Sequence, residues 1–240
     1  MVHIEPLPKP NLGNTKMNCN NVISKKLTEF PMTNEAFSTS SFNIIVGKPG
    51  QGKTSLMTCF VKTLFKKVFE TIYIFMPEGS RASIENDVFG KHLPPEQVFT
   101  DLTVENITQL YQDLQKNAKE GWYSLVIIDD LQTSLKDKEI LNILKRVITK
   151  TRHLRTTVFL LQQNYIACDK SLRELASNII IYNLGKSQLS RIFDEVLQMD
   201  KAKYEKLIDL CFIEPHDWLL INLHKSRSIY RMGDLVVFGD

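Results

Sequence analysis

The sequence predicts an α/β fold: a central, mainly parallel sheet flanked by helices, with antiparallel strands closing one edge. Three observations predict it. Short β-prone apolar runs alternate with segments whose apolar residues recur every three or four positions. A glycine-rich loop, Gly47, Lys48, Pro49, Gly50, Gln51, Gly52, Lys53 and Thr54, stands between the first of these runs and the first periodic segment. Further on, Leu125, Val126, Ile127 and Ile128 form a continuous apolar run that ends in Asp129 and Asp130. Such a run is expected of a parallel strand covered on both faces. A chain of 240 residues, 43% of them hydrophobic, has enough apolar side chains for one such domain.

Residues 1–40 carry Pro6, Pro8, Pro10 and Pro31 among many Asn, Ser and Thr. They read as an N-terminal arm or linker, with a short helix or strand near 22–30. Two readings stand side by side: an oligomerisation arm lying on a neighbour, or a partly disordered terminus. The main domain spans 41–240. Residues 41–46 read as its first strand, and 55–69 as a helix with apolar rows at 56, 60, 64, 68 and 57, 61, 65, 69. A strand over 71–76 is closed by Pro77, and 78–95 is a polar excursion from the sheet. A helix over 105–120 ends at Gly121. The strand 124–130 follows, then a helix capped by Ser134 and running to Lys150. A strand over 156–161 ends in Gln162, Gln163 and Asn164. Beyond it lie a short helix at 172–176, a strand at 178–184, helices at 188–198 and 201–211, and a strand at 217–223. A hairpin, 228–231 with 235–238, turns around Met232, Gly233 and Asp234.

The loop fits G-x-x-x-x-G-K-[ST], the phosphate-binding P-loop. Its glycines let backbone N–H groups converge on phosphate oxygens, and the following helix presents its positive end to the same anion. Gly47, Lys48, Pro49, Gly50, Gln51, Gly52, Lys53, Thr54 and Ser55 are therefore the candidate ATP-binding residues. Lys53 would neutralise the β- and γ-phosphates. The Thr54 hydroxyl and Asp129, the latter through water, would hold Mg²⁺. Strand, acid pair and loop together make the Walker B pattern, and Asp130 is placed to orient or activate the attacking water. Gln162 first and Gln163 second are candidates to hydrogen-bond the γ-phosphate or that water. Both amides could equally serve only the corner between strand and loop.

Charge and cysteine usage narrow the class further. The net charge of +3 is small, but residues 141–190 hold eight Lys or Arg against two Asp or Glu. That block could face a polyanion such as DNA or be a solvated surface balanced elsewhere. Cys19, Cys59, Cys168 and Cys211 form no C-x-x-C pair, so a reduced intracellular protein is expected. A charged leader and an apolar run of membrane-spanning length are not expected either.

Three features together carry a resemblance: the acid-paired strand, the helix leading into Thr151, Arg152, His153, Leu154 and Arg155, and the strand ending in Gln162, Gln163 and Asn164. Over about 42–223 the chain resembles the genome-packaging ATPases of nucleocytoplasmic large DNA viruses, the poxvirus-type family within the FtsK–HerA superfamily. The resemblance implies a RecA/ASCE-like P-loop NTPase that assembles into a homo-oligomeric ring, a pentamer or hexamer, and moves double-stranded DNA into a capsid. It implies viral capsid or membrane components as partners. It also implies the host cytoplasm at a virus assembly site, and the virion, as locations. Arg152, just before the strand, becomes the first candidate for an arginine acting on a neighbour's nucleotide, with Arg155 and then Arg173 behind it. Arg152 and Arg155 could instead pair with an acid or contact DNA. One position departs from the pattern: many related ATPases have Glu where this chain has Asp130, whose shorter side chain must sit closer to the water. The alternative is a P-loop nucleotide or small-molecule kinase, which would need an acceptor pocket and an arginine-bearing lid. A GTPase is set aside because neither D-x-x-G nor N-K-x-D appears at the required places.

Overall fold

The structure, a computed structural model, describes residues 2–6, 37–65, 67–82, 84, 89, 92–223, 228–232 and 234–238. Its strands are β1 (Val2–Glu5), β2 (Phe42–Val46), β3 (Thr71–Phe75), β4 (Val98–Phe99), β5 (Ser124–Asp129), β6 (Thr156–Gln162), β7 (Asn178–Tyr182), β8 (Trp218–Asn222), β9 (Ile229–Arg231) and β10 (Asp234–Phe238). They form one sheet in the order β1-β10-β9-β8-β7-β2-β6-β5-β3-β4. From β7 to β4 all neighbours are parallel; from β7 out to β1 all are antiparallel. The predicted α/β architecture with closing antiparallel strands is therefore the observed one.

The helices are α1 (Lys53–Lys62), α2 (Glu78–Ala82), α3 (Val104–Lys119), α4 (Lys138–Thr149), α5 (Lys170–Leu175), α6 (Lys186–Ile192) and α7 (Lys201–Cys211). They cover both sheet faces. Ile44 and Val46 of β2 point into the layer with Ile107, Leu110 and Leu114 of α3 and Leu144 and Val147 of α4. Ile45 points into the other layer, with Leu56, Met57 and Phe60 of α1. Strands β2, β5 and β6 are buried at every position, which is why they read as continuous apolar runs rather than alternating ones. Phe60 is the hub of the α1 layer, with Phe65, Phe159 and Trp218 rings 6.1, 6.3 and 6.3 Å away. Truncating it to Ala would cost about 3–5 kcal/mol.

Local departures have local causes. The helix expected over 55–69 stops at Lys62: Thr63 Oγ1 turns back to the Cys59 carbonyl at 2.7 Å, and Phe65 N donates to Phe60 O at 2.8 Å. The apolar rows still reach the core, because Phe65 and Phe69 stack edge to face at 5.4 Å on the turns that follow. Ser134 opens a 3-10 turn, Ser134–Lys136, rather than α4; the cap is Asp137, whose carboxylate accepts from Glu139 N at 2.7 Å. The helix expected at 188–198 is α6 followed by a π-turn, Phe193–Leu197. At the sheet edge, Val2 lies opposite Phe238 and Glu5 opposite Leu235, so the first residues of the expected arm form a strand. The element expected near 22–30 lies outside the described residues. Among those described, no helix is long and apolar enough to cross a membrane, and Cys59, Cys168 and Cys211 are buried thiols outside any disulfide.

Candidate functional site

β6 lies between β2 and β5, with Val46 opposite Gln162 and Leu161 opposite Asp129. The three strands end together, so whatever follows each of them meets at one place, the C-terminal edge of a parallel sheet. From β2 comes the P-loop. Gly50 and Gly52 hold φ of 76° and 98°, a region that L side chains rarely occupy. Gly52 caps α1 without any side-chain bond, so no side chain occupies the acceptor place at the head of that helix. The first-turn N–H groups and the helix dipole make that end an anion cradle.

Lys53 curls back over the loop. Its Nζ donates to the Gly47 carbonyl at 2.8 Å and to the Lys48 carbonyl at 3.2 Å. The side chain is only 8% exposed. That burial lowers the pKa of the ammonium, while Asp129 and Asp130 oppose the shift. Next to it, Thr54 Oγ1 donates to Asp129 Oδ2 at 2.6 Å. Burial pushes the Asp129 carboxyl up to about 6; Thr54 and Lys53 restrain the rise and Asp130 adds to it. A buried carboxylate and hydroxyl beside a lysine form a donor set suited to a divalent cation shared with phosphates. Asp130 leaves the strand with φ of 55°, and its Oδ1 accepts from Gln163 Nε2. Gln162 is buried, its backbone carbonyl accepts from Gly47 N at 3.0 Å, and its Nε2 has no partner among the described residues. The structure thus gathers Gly47 to Ser55, Asp129, Asp130, Gln162 and Gln163, and treats the two glutamine amides differently: Gln163 is bonded to Asp130, whereas Gln162 Nε2 is buried without a partner among the described residues.

Three supporting residues were not foreseen. Tyr182 OH, at the end of β7, donates to the Gly52 carbonyl at 3.0 Å, and its ring would lie 2.8 Å from a Cβ at Gly47. His216 Nδ1 is 3.0 Å from the Gln51 carbonyl, an acceptor, so that nitrogen carries the proton. The Gln51 amide donates to Asn183 O at 2.8 Å, while its own oxygen accepts from Lys48 N at 2.6 Å. These contacts brace the loop from β7 and β8, which no local sequence pattern reveals.

The arginines lie elsewhere. Arg152 is exposed, in the turn before Thr156. The site is at the far end of β6, a seven-residue strand of about 20 Å. Arg155 lies over the Tyr123 ring at 4.3 Å. Arg173 is buried, stacked 4.7 Å over Tyr165 and 3.5 Å from Glu195. Nor is the basic excess of 141–190 one free patch. Lys145 pairs with Asp169 at 3.2 Å, and Lys170 with Glu174 at 3.6 Å.

Comparison with known proteins places this geometry. The sequence profile of the family described as Poxvirus A32 protein matches residues 29–213. The chain belongs to that family. No curated protein matches it. Among solved structures it is similar to the genome packaging NTPase B204 from Sulfolobus turreted icosahedral virus 2. In complex with ATP-gammaS that structure gives a TM-score of 0.63 at 17% identity, covering 81% of this chain and 98% of the other. In complex with AMPPCP it gives 0.64 at 18% identity, covering 81% and 97%. ATPases 2 and 3 of EccC from Thermomonospora curvata, bound to a signal sequence peptide, give 0.52 at 10% identity and cover 87% and 37%. At these identities the structural matches establish the fold, that of P-loop ATPases. The family assignment rests on the profile.

Proposed function

We propose that this protein is an ATP-hydrolysing motor that translocates double-stranded DNA into a viral capsid. Family membership and the likeness to a packaging NTPase over nearly that chain's whole length support the reading. The observation that carries it is the closed set of Lys53, Thr54 and Asp129 at the loop, with an acid and two amides beyond. The P-loop would hold ATP through its N–H groups and Lys53. Thr54 and Asp129 would hold Mg²⁺, which spreads the charge of the transferring phosphoryl group. Asp130 would accept the proton of the attacking water. The Gln162 amide, without a partner among the described residues, would donate to the γ-phosphate or the water.

The partners follow from the same reading. A ring of five or six copies around DNA would place Arg152 of one subunit at the nucleotide of the next. Such a ring would dock on capsid or membrane components at virus assembly sites in the host cytoplasm and enter the virion. The kinase alternative is not favoured: family and structural likenesses both point to packaging ATPases. Phosphate release, measured without an added acceptor and with or without duplex DNA on protein sized by light scattering, separates the two. The motor releases phosphate with no acceptor and faster on DNA. Turnover only in the presence of a phosphoryl acceptor would contradict it.

A further inference from the structure

Gln162 is the last residue of β6 and Gln163 the first of the bend beyond it, so strand alternation does not tie their side chains together. Gln162 points into the buried layer between the strand ends. Gln163 reaches sideways to Asp130, and its Nε2 donates to one carboxylate oxygen, Oδ1. Asp130 sits at φ 55°, a backbone conformation that costs free energy for any residue with a Cβ and that Asp tolerates better than most. A strained backbone leaves the side-chain direction dependent on what holds it.

Gln163 is itself held on both sides. Before it, the Gln162 carbonyl accepts from Gly47 N at 3.0 Å. After it, Tyr165 N donates to Gln188 Oε1 at 2.9 Å, and the Tyr165 carbonyl accepts from Arg173 Nη1 at 3.3 Å. Asn164 Oδ1 accepts from Ile166 N at 2.9 Å and Ala167 N at 3.2 Å, closing a tight turn. The amide is therefore offered to Asp130 from a fixed backbone.

We infer that Gln163 is a positioning residue for Asp130 and not a second contact to the nucleotide. It occupies Oδ1 and leaves Oδ2 as the acceptor for water, compensating for the short reach of an aspartate. Gln162 alone keeps the role toward phosphate or water. This inference rests on the ATPase reading above for its kinetic consequence, but the Gln163–Asp130 bond is a property of the nucleotide-free chain.

The test is a double-mutant cycle read in two ways. In nucleotide-free protein, Gln163→Ala lowers the melting temperature by about 3–12 °C, as expected for one hydrogen bond to a charged group in a domain of this size. In an Asp130→Gly background, where the carboxylate and the strain are both gone, the same change has almost no effect. In turnover, Gln163→Ala lowers kcat by about 10- to 100-fold, leaves KM and the affinity for ATP-gammaS within twofold, and adds nothing in an Asp130→Asn background. Gln163→Asn, with its shorter amide, recovers only part of the rate, whereas Gln162→Ala weakens turnover in both backgrounds. Equal losses of melting temperature with and without Asp130 overturn the inference, as does a raised KM at unchanged kcat. If wild-type protein binds ATP-gammaS but releases no phosphate, the ATPase reading fails while the melting cycle still decides whether Gln163 holds Asp130.

Discussion

At one end of β6, Gln162 lies among the P-loop, Lys53 and the Thr54–Asp129 pair; at the other, Arg152 and Arg155 turn out of α4 into the strand. The first end is committed. Lys53 is buried and bonded to two loop carbonyls, and Asp129 is bonded to Thr54. At the second end Arg152 is exposed, and the half-buried Arg155 lies over the ring of the half-buried Tyr123. On the proposed reading, the first end would hold the near side of a triphosphate. Arg152 sits a strand length away from that grip. On the proposed ring, a positive charge on the far side of the phosphate would come from a second copy, with the exposed Arg152 before β6 as its source.

That contrast can be broken or sharpened at several residues. Lys53→Ala should reduce phosphate release by at least about 10³-fold, because it removes a preorganised cation from a partly dry site. Its fold, read by circular dichroism, should be retained; wild-type turnover by this variant would erase the committed end. Asp130→Asn should lower turnover by about 10²–10⁴-fold while ATP-gammaS still binds, since the amide is near-isosteric but cannot take a proton. Loss of binding here, with binding kept in Asp129→Asn, would reverse the roles of the two acids.

Asp129→Asn carries a smaller and opposite effect on stability. Burial pushes the folded carboxyl up to about 6, above its ordinary value of 3.8, so the folded state holds that proton more tightly than the unfolded chain. This acid therefore costs no stability below about pH 3.8, progressively more between 3.8 and 6, and its full penalty above 6. Relieving it is worth up to roughly 3 kcal/mol. Nucleotide-free Asp129→Asn should melt several degrees above wild type at pH 7.5, and the gap should close as the pH is lowered toward 4. Added Mg·ATP should stabilise wild type more than the variant. A gap that does not change with pH would mean that burial of Asp129 does not perturb its titration.

How much of this was legible follows from how local each feature is. The P-loop is eight contiguous residues, and Asp129 ends an unbroken apolar run, so loop, lysine, threonine and acid could all be read from the sequence. The division between Gln162 and Gln163 could not, because it depends on where β6 ends. Tyr182 and His216 were hidden because β7 and β8 approach the loop only through the sheet order. Arg173 looked available among basic neighbours, yet it is buried against Tyr165. Strand β1 is four residues with one face half buried, too short to show a period, and only its pairing with β10 makes it a strand.

Whether a neighbour completes each site is tested most directly by mixing two inactive proteins. Arg152→Ala keeps an intact P-loop, and Lys53→Ala keeps an intact Arg152. An arginine supplied by another subunit is typically worth about 10³–10⁵ in rate, so each variant alone should be nearly silent. Mixed rings would contain interfaces that join an intact loop to an intact arginine, and phosphate release should reappear on mixing. Specific activity of the wild type should also rise with protein concentration as rings form. A mixture that stays silent while both variants assemble, or an Arg152→Ala protein as active as wild type, would contradict the claim that Arg152 serves the next subunit's nucleotide.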